Sequence, residues 1–297
     1  MSWSKKICLG AAQFGNIYGI TNRNRNELNV KEIKKFLKLL IKNKIDFIDT
    51  ALNYKNVDKK LKKTKINLNK FNIITKIPSP IIKEKFYKRE IFRKILKSKK
   101  ILKIKSFYAI LIHNCNNLNS EQAKLIRDTL AELKKKKITK KIGLSVYNTK
   151  DLSFMFKFFT PDLIQVPHNV FDARFMQNKI LNKISKYNIE LHVRSIFLQG
   201  LLLIDLKKMN LKFSKWKKLF EKWDLYCKKN KTSKLEAAVN LAIRNKKIKK
   251  IVVGFSNINE FIEFLKIRVK NELTFPKFLI DSQKNIDQLI NPYKWQA

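Results

Sequence analysis

The chain has 297 residues, which suits one large barrel or two ordinary domains. Its apolar fraction of 44% excludes a disordered protein. The formal net charge of +43 would suit a nucleic-acid or membrane-surface protein, but 57 of the 66 basic residues are lysines spread over nearly every predicted helix. We interpret the excess as a bias toward A- and T-rich codons and expect no specific nucleic-acid partner.

Strand-like and helix-like segments alternate along the whole chain. The predicted strands cover residues 7–11, 45–50, 71–77, 107–114, 141–147, 163–167, 189–195 and 251–254. The predicted helices cover residues 30–44, 57–63, 82–99, 120–137, 149–159, 174–187, 233–245 and 257–268. Repeated units of strand then helix imply a parallel sheet, and eight of them closing on themselves make a (β/α)8 TIM barrel of the α/β class. We expect a single domain over residues 1–297.

Two local features refine these elements. Ser120 precedes a Glu-Gln-Ala sequence and is a candidate N-cap for the helix that begins there. Residues 201–232 are long for a single connection and contain Trp216, Phe220 and Trp223, which predicts a capping loop or helix.

Three consecutive predicted strands each carry one ionisable residue near the carboxyl end. These residues are Asp49, Lys76 and His113, and Tyr54 follows shortly after the first strand. A carboxylate on an apolar strand is costly to bury without a cationic partner, and Lys76 is placed to be that partner. The carboxyl ends of the strands are where active sites form in a parallel barrel.

At these positions the chain resembles the aldo-keto reductase family. The matching features are Asp-Thr-Ala-x-x-Tyr from Asp49 to Tyr54, the lysine at position 76 and the histidine at position 113. The likeness continues through Leu9-Gly-Ala-Ala-Gln-Phe-Gly15, Ile142-Gly-Leu-Ser-Val-Tyr147, Ile164-Gln-Val-Pro-His-Asn169, Arg194-Ser-Ile-Phe-Leu-Gln-Gly200 and Ile251-Val-Val-Gly254. No one of these segments is specific to the family, but their order and spacing taken together are specific to it.

The resemblance implies an NAD(P)H-dependent oxidoreductase that reduces a small aldehyde or ketone, such as a sugar or another polar carbonyl, to an alcohol. In that reaction Tyr54 would be the general acid. A free phenol titrates near ~10, and an adjacent ammonium such as that of Lys76 would favour the phenolate. Asp49 would hold Lys76 in place, and His113 would donate a hydrogen bond to the carbonyl oxygen.

The resemblance also implies a cofactor site. Ser145 and Gln165 would hold the nicotinamide carboxamide. The phosphate would bind in the loop and helix N-terminus after the last strand, at Gly254, Phe255, Ser256 and Asn257. The expected cofactor is NADP or NAD, with NADP slightly favoured by the resemblance.

Three positions depart from the family pattern. Arg194 stands where many members stack an aromatic ring on the nicotinamide, and Lys55 stands where a glycine commonly follows the tyrosine. No basic residue near Asn259 and Glu260 corresponds to the one that often binds the 2′-phosphate of NADP. One expectation is that the planar guanidinium of Arg194 lies against the nicotinamide, which would favour reduced cofactor and could also help to hold an anionic substrate group such as a carboxylate or phosphate. The other is that Arg194 forms a structural salt bridge under the capping region.

Other readings remain open at this point. A barrel of this family could instead be a noncatalytic ligand-binding or regulatory protein. A metal site formed by His113, His168 and His192 lacks any HxH or HExxH spacing, so we expect no metal. The longest apolar stretch, residues 195–204, is too short to cross a bilayer. Three widely spaced cysteines, at positions 8, 115 and 227, favour free thiols in a cytoplasmic protein.

Overall fold

The structure, a computed structural model, describes residues 3–15, 27–81, 84–269, 273–274, 276 and 286–295. Eight parallel strands form a closed barrel in chain order, with β8 paired to β1. The predicted (β/α)8 TIM barrel is therefore confirmed. The strands are β1 (Ile7–Gly10), β2 (Phe47–Asp49), β3 (Asn72–Ile77), β4 (Phe107–Ile112), β5 (Thr139–Ser145), β6 (Leu163–Pro167), β7 (Glu190–Arg194) and β8 (Ile248–Val253).

Helices cover the outside of the barrel and bury their apolar faces against the strands. In the helix Val30–Lys42, for example, Ile33, Phe36, Leu37 and Leu40 are buried at helical spacing. The helices are α1 (Ala12–Gly15), α2 (Val30–Lys42), α3 (Val57–Lys63), α4 (Glu84–Leu102), α5 (Ser120–Lys135), α6 (Thr149–Met155), α7 (Asn178–Lys186), α8 (Lys217–Lys229), α9 (Lys234–Ile243), α10 (Ile258–Leu265) and α11 (Ile286–Ile290). No helix in these described segments is both long and apolar enough to span a bilayer.

Several predicted boundaries are wrong. The helices predicted over residues 149–159 and 257–268 end earlier, at Met155 and Leu265, and the strand predicted over residues 141–147 is Thr139–Ser145.

Two further differences concern how a helix begins. The N-cap of α5 is Asn119, not Ser120, because the Asn119 side chain accepts from the backbone of Gln122 and Gln122 reciprocates in a capping box. The predicted helix over residues 174–187 is divided into a 3₁₀ turn, Arg174–Met176, and α7. The division falls at Gln177, whose backbone is extended with φ −68° and ψ 141°.

The long connection after β7 folds as a cap, as its aromatic content predicts. It contains three 3₁₀ helices, which are Leu198–Leu203, Leu206–Lys208 and Leu211–Trp216, and α8 follows them. Trp223 is fully buried in a hydrophobic cluster that is separate from the main core and also contains Phe213 and Phe220. Its indole nitrogen donates to the carbonyl of Leu202 at 3.0 Å, which ties α8 to the segment that leaves the barrel.

A polar network fills the barrel toward the amino ends of its strands. Glu190 accepts from Tyr108 at 2.7 Å, lies 2.7 Å from Nε2 of His192 and pairs with Lys141. Burial opposes ionisation of Glu190, but hydrogen bonds from His192, Lys141 and Tyr108 bring its pKa down to about 2. These side chains pack this end of the barrel, which leaves the carboxyl end for a ligand cavity.

Candidate active site

A buried ion pair lies at the carboxyl end of the barrel. Lys76, from β3, contacts the carboxylate of Asp49, from β2, and its ammonium also donates to the Thr50 carbonyl at 3.1 Å. The other carboxylate oxygen accepts from Nε2 of Gln165 at 2.8 Å, across the barrel on β6. Asp49 and Lys76 are 3% and 2% exposed, so each charge is compensated by direct partners rather than by water.

Tyr54 and His113 lie beside this pair. The ammonium of Lys76 is 5.8 Å from the centroid of the Tyr54 ring. The rings of Tyr54 and His113 meet edge to face, with centroids 5.9 Å apart and planes at 78°. His113 directly follows β4, and its backbone N–H donates to the carbonyl of Ile77 at 2.8 Å. The structure thus brings together the four residues that the sequence singles out.

His113 is held in its neutral form. Burial, with the positive charges of Lys76 and Arg194, lowers its pKa from the ordinary 6.5 to about 3. At neutral pH the imidazole can therefore donate one hydrogen bond, but it carries no dissociable proton of an imidazolium. The two residues can therefore have different roles. His113 can orient an oxygen atom by hydrogen bonding, while the phenol of Tyr54 remains the candidate acid.

The side chains surround a cavity of about 790 Å³, a size that suits a cofactor or a small ligand. All eleven residues predicted from the sequence line it. They are Asp49, Tyr54, Lys76, His113, Ser145, Gln165, Arg194, Gly254, Phe255, Ser256 and Asn257.

Ser145 ends β5 and is paired in register with Gln165, the middle residue of the neighbouring strand β6. Both are buried and both line the cavity. Nε2 of Gln165 is committed to Asp49, but its Oε1 is buried and has no hydrogen-bond partner among the described residues. A buried acceptor of this kind suits an amide N–H donor, which fits the carboxamide of a nicotinamide.

The loop after β8 leads into α10, whose N-cap is Asn257. The expected anion site at this helix N-terminus contains a carboxylate. Glu260 accepts from the backbone N–H of Ser256 at 2.7 Å and from Nδ2 of Asn257 at 3.0 Å. Glu260 and Glu263 both line the cavity, so this side of the cavity carries negative charge.

Arg194 is the last residue of β7 and lines the cavity. Its guanidinium carbon lies 3.9 Å from the centroid of the Tyr147 ring. Nη2 donates to the Val146 carbonyl and Nη1 to the Ser195 hydroxyl, each at 3.3 Å. No carboxylate within the described ranges forms a salt bridge with Arg194, so the expected alternative of a structural salt bridge is not formed there.

Sequence reasoning missed several cavity residues. The sequence motifs assign no role to Gln13, although a Cβ at Gly254 would lie only 2.0 Å from its Oε1. They likewise assign no role to Tyr147 or to the carboxylate of Glu260. Gln13 and Tyr147 follow closely after strand ends, which is the signal that points to them, but a contact between distant loops cannot be predicted from spacing.

The other two histidines have structural partners. Nδ1 of His168 lies 2.9 Å from the Asp172 carbonyl, and His192 belongs to the Glu190 network. Among the residues that the structure describes, no group of three or more His, Cys, Asp or Glu side chains could hold a metal ion.

Comparison with known proteins gives one family. The model of the aldo/keto reductase family matches residues 6–277, whereas no curated protein sequence matches the chain. The chain is similar in structure to an aldo-keto reductase from Bacillus halodurans in its holo form, with a TM-score of 0.73 and 14% identity over 94% of this chain and 93% of that one. It is also similar to a glycerol dehydrogenase from Gluconobacter oxydans, with a TM-score of 0.65 and 17% identity over 91% of this chain and 88% of that one. At these identities the structural likeness shows the fold alone.

The pKa of His113 predicts how stability depends on pH. The unfolded chain protonates this histidine below pH 6.5, while the folded protein does so only near pH 3, so acidification through this window favours unfolding. In His113→Gln, the free energy of unfolding should fall less steeply between pH 6.5 and 4, by up to ~1.4 kcal/mol per pH unit. Urea unfolding at a series of pH values measures both slopes. Above pH 7 the slopes should agree, which is the internal control, and equal slopes below pH 6 would contradict the assignment.

Proposed function

The chain belongs to the aldo/keto reductase family, and from that membership we propose that it reduces an aldehyde or ketone to an alcohol with NAD(P)H, using Tyr54 as the general acid. Membership makes the protein an oxidoreductase that acts on small-molecule carbonyl substrates. The observation that carries the proposal is the buried Asp49–Lys76 pair, which lines one cavity together with Tyr54 and His113. The noncatalytic alternative has no observation of its own in its favour.

The acid is assigned to Tyr54 because the other candidate is excluded by its charge state. A reduced nicotinamide, when bound, supplies a hydride to the carbonyl carbon, and the carbonyl oxygen then needs a proton. His113 is neutral at physiological pH, since its pKa is about 3. The ammonium of Lys76 is engaged by Asp49 and by the Thr50 carbonyl. We therefore assign the proton transfer to the phenol of Tyr54, which lines the same cavity.

Lys76 and Asp49 support that acid. An ammonium beside a phenol favours the phenolate, which makes the phenol a better proton donor. The ammonium is held by Asp49 and by the Thr50 carbonyl, so it is positioned before any substrate arrives and costs no reorganisation during the reaction. His113, as a neutral donor, would hydrogen-bond the carbonyl oxygen and orient it toward the phenol.

Ser145 and Gln165 are the residues proposed to hold the nicotinamide. The unpartnered Oε1 of Gln165 would accept from the carboxamide, while its Nε2 remains bonded to Asp49. Gln165 would therefore link the position of the nicotinamide to the ion pair behind the acid.

The proposed nucleotide is NAD, although the family resemblance slightly favours NADP. A 2′-phosphate carries about two negative charges near neutral pH and would meet the carboxylate of Glu260 at the N-terminus of α10. Glu260 already accepts the Ser256 N–H that an anion would otherwise use. A ribose with free hydroxyl groups can instead donate to a carboxylate, as acidic residues do in dinucleotide-binding folds.

The location of the protein in the cytoplasm stays a prediction. It rests on the three cysteines, which are buried as free thiols.

Replacing Tyr54 with phenylalanine should remove the acid and little else. We expect kcat for aldehyde reduction to fall by about 10²–10⁴-fold, the usual contribution of general acid catalysis. Cofactor affinity, measured by fluorescence titration, serves as the control for folding and should stay within about twofold. Oxidation of the reduced cofactor at 340 nm gives the rate. A Tyr54→Phe protein with wild-type kcat would contradict the assignment of the acid.

Replacing Glu260 with glutamine should shift the nucleotide preference. The wild-type protein should bind NADH more tightly than NADPH, and Glu260→Gln should move the ratio of the two dissociation constants toward NADPH by about tenfold, since it removes one like charge near the phosphate. Glu263→Gln is the matched variant, with the same charge change in the same helix and no bond to the loop, and it should shift the ratio less. Tighter binding of NADPH by the wild-type protein would contradict the preference.

A further inference from the structure

We propose that the substrate of this reductase carries an anionic group, a carboxylate or a phosphate, and that Arg194 binds that group. The inference rests on the proposed function, because it names the substrate class of the same cavity. It assigns to Arg194 the selection of the substrate rather than a role in the proton or hydride step.

The position of Arg194 places its charge in the same cavity as the reaction centre. It ends β7 at the carboxyl end of the barrel and lines the cavity with Tyr54 and His113. Its charge is felt at His113, where it acts with burial and Lys76 to lower the pKa of the imidazole. A group that hydrogen-bonds His113 therefore lies within the field of Arg194.

The charge balance on the β7 side of the cavity is positive. Lys76 and Asp49 form a pair and neutralise each other. Arg194 has no salt-bridge partner in the described part of the chain, and the other two cavity carboxylates, Glu260 and Glu263, belong to α10 on the proposed nucleotide side. A half-buried cation without an acidic partner is stabilised by an anionic ligand.

The guanidinium is held in place before any ligand binds. One face lies against the Tyr147 ring, with the guanidinium carbon 3.9 Å from the ring centroid. Two of its five N–H groups can account for the bonds to the Val146 carbonyl and the Ser195 hydroxyl, both long at 3.3 Å. An arginine positioned in this way keeps donors for a planar oxyanion and loses little side-chain entropy on binding.

The backbone after Arg194 is strained, which is typical of ligand sites. Ser195, Leu198 and Gln199 all have left-handed φ values, of 61°, 48° and 55°, and Gly200 follows with 91°. Ser195, Gln199 and Gly200 line the cavity. A left-handed backbone is unfavourable for residues other than glycine, so the fold maintains this segment against its local preference. This segment therefore fixes the position of the backbone next to the guanidinium of Arg194.

The test compares two aldehydes of nearly the same shape, 4-carboxybenzaldehyde and its neutral amide, 4-formylbenzamide. For each, kcat/KM is measured at about 0.2 M salt, where long-range attraction by the highly positive surface is screened. The variants are Arg194→Gln, Arg194→Lys and the matched control Lys55→Gln, which removes an exposed positive charge outside the cavity. Glyceraldehyde 3-phosphate against glyceraldehyde forms the phosphate arm.

We expect the wild-type protein to prefer the anionic member of at least one pair by about tenfold or more, as for a charge-assisted hydrogen bond. Arg194→Gln should abolish that preference, Arg194→Lys should keep part of it, and Lys55→Gln should keep all of it. Equal efficiency for both members in both pairs, or a preference that survives Arg194→Gln, overturns the inference. If Arg194→Gln does not fold, Arg194→Lys carries the test. A preference reduced in Arg194→Lys and unchanged in Lys55→Gln supports the inference, and a preference equal in both variants overturns it. Failure to reduce any of the four aldehydes with NADH or NADPH would instead count against the proposed function.

Discussion

The buried ion pair between Asp49 and Lys76 is the constraint on which the rest of the site depends. Removing two charges from water costs several kcal/mol for each ion, and a buried pair seldom stabilises a fold more than apolar residues of similar volume would. Here the pair is satisfied by additional polar contacts, from Gln165 to Asp49 and from Lys76 to the Thr50 carbonyl. An arrangement that is expensive to bury, and in which both charges have further hydrogen bonds, is better explained by a role in the reaction than by a contribution to stability. The β2, β3 and β6 strands are held together at the point where the cavity opens.

The charges around that pair are separated across the cavity. Burial keeps His113 neutral, which leaves Arg194 as the cation on the β7 side, stacked on Tyr147. The N-terminus of α10 carries Glu260 on the other side. If the proposals hold, the β7 side selects an anionic substrate and the α10 side selects a nucleotide without a 2′-phosphate. Both selections would then be made by residues outside the four at the reaction centre.

Much of this arrangement could be predicted from sequence because topology determines it. Apolar β-branched runs define the eight strands, and in a parallel barrel the ends carrying Asp49, Lys76 and His113 must meet at one edge. The ends of individual helices are harder to predict. Asn119 and Ser120 are both residue types that cap helices, and nothing in the composition marks Gln177 as the break before α7. The contacts of Arg194 with Tyr147, and of Glu260 with Ser256, depend on loop conformations. These conformations are set by tertiary packing, which periodicity does not encode.

The central claim is that this cavity transfers a hydride from a reduced nicotinamide to a carbonyl carbon. The most direct measurement follows the atom itself, by incubating the protein and an aldehyde with a cofactor that carries two deuterium atoms at C4 of the dihydronicotinamide. Mass spectrometry of the alcohol should find one deuterium on the carbinol carbon for each cofactor oxidised. An alcohol without deuterium, or no alcohol from the wild-type protein with either nucleotide, would contradict the account.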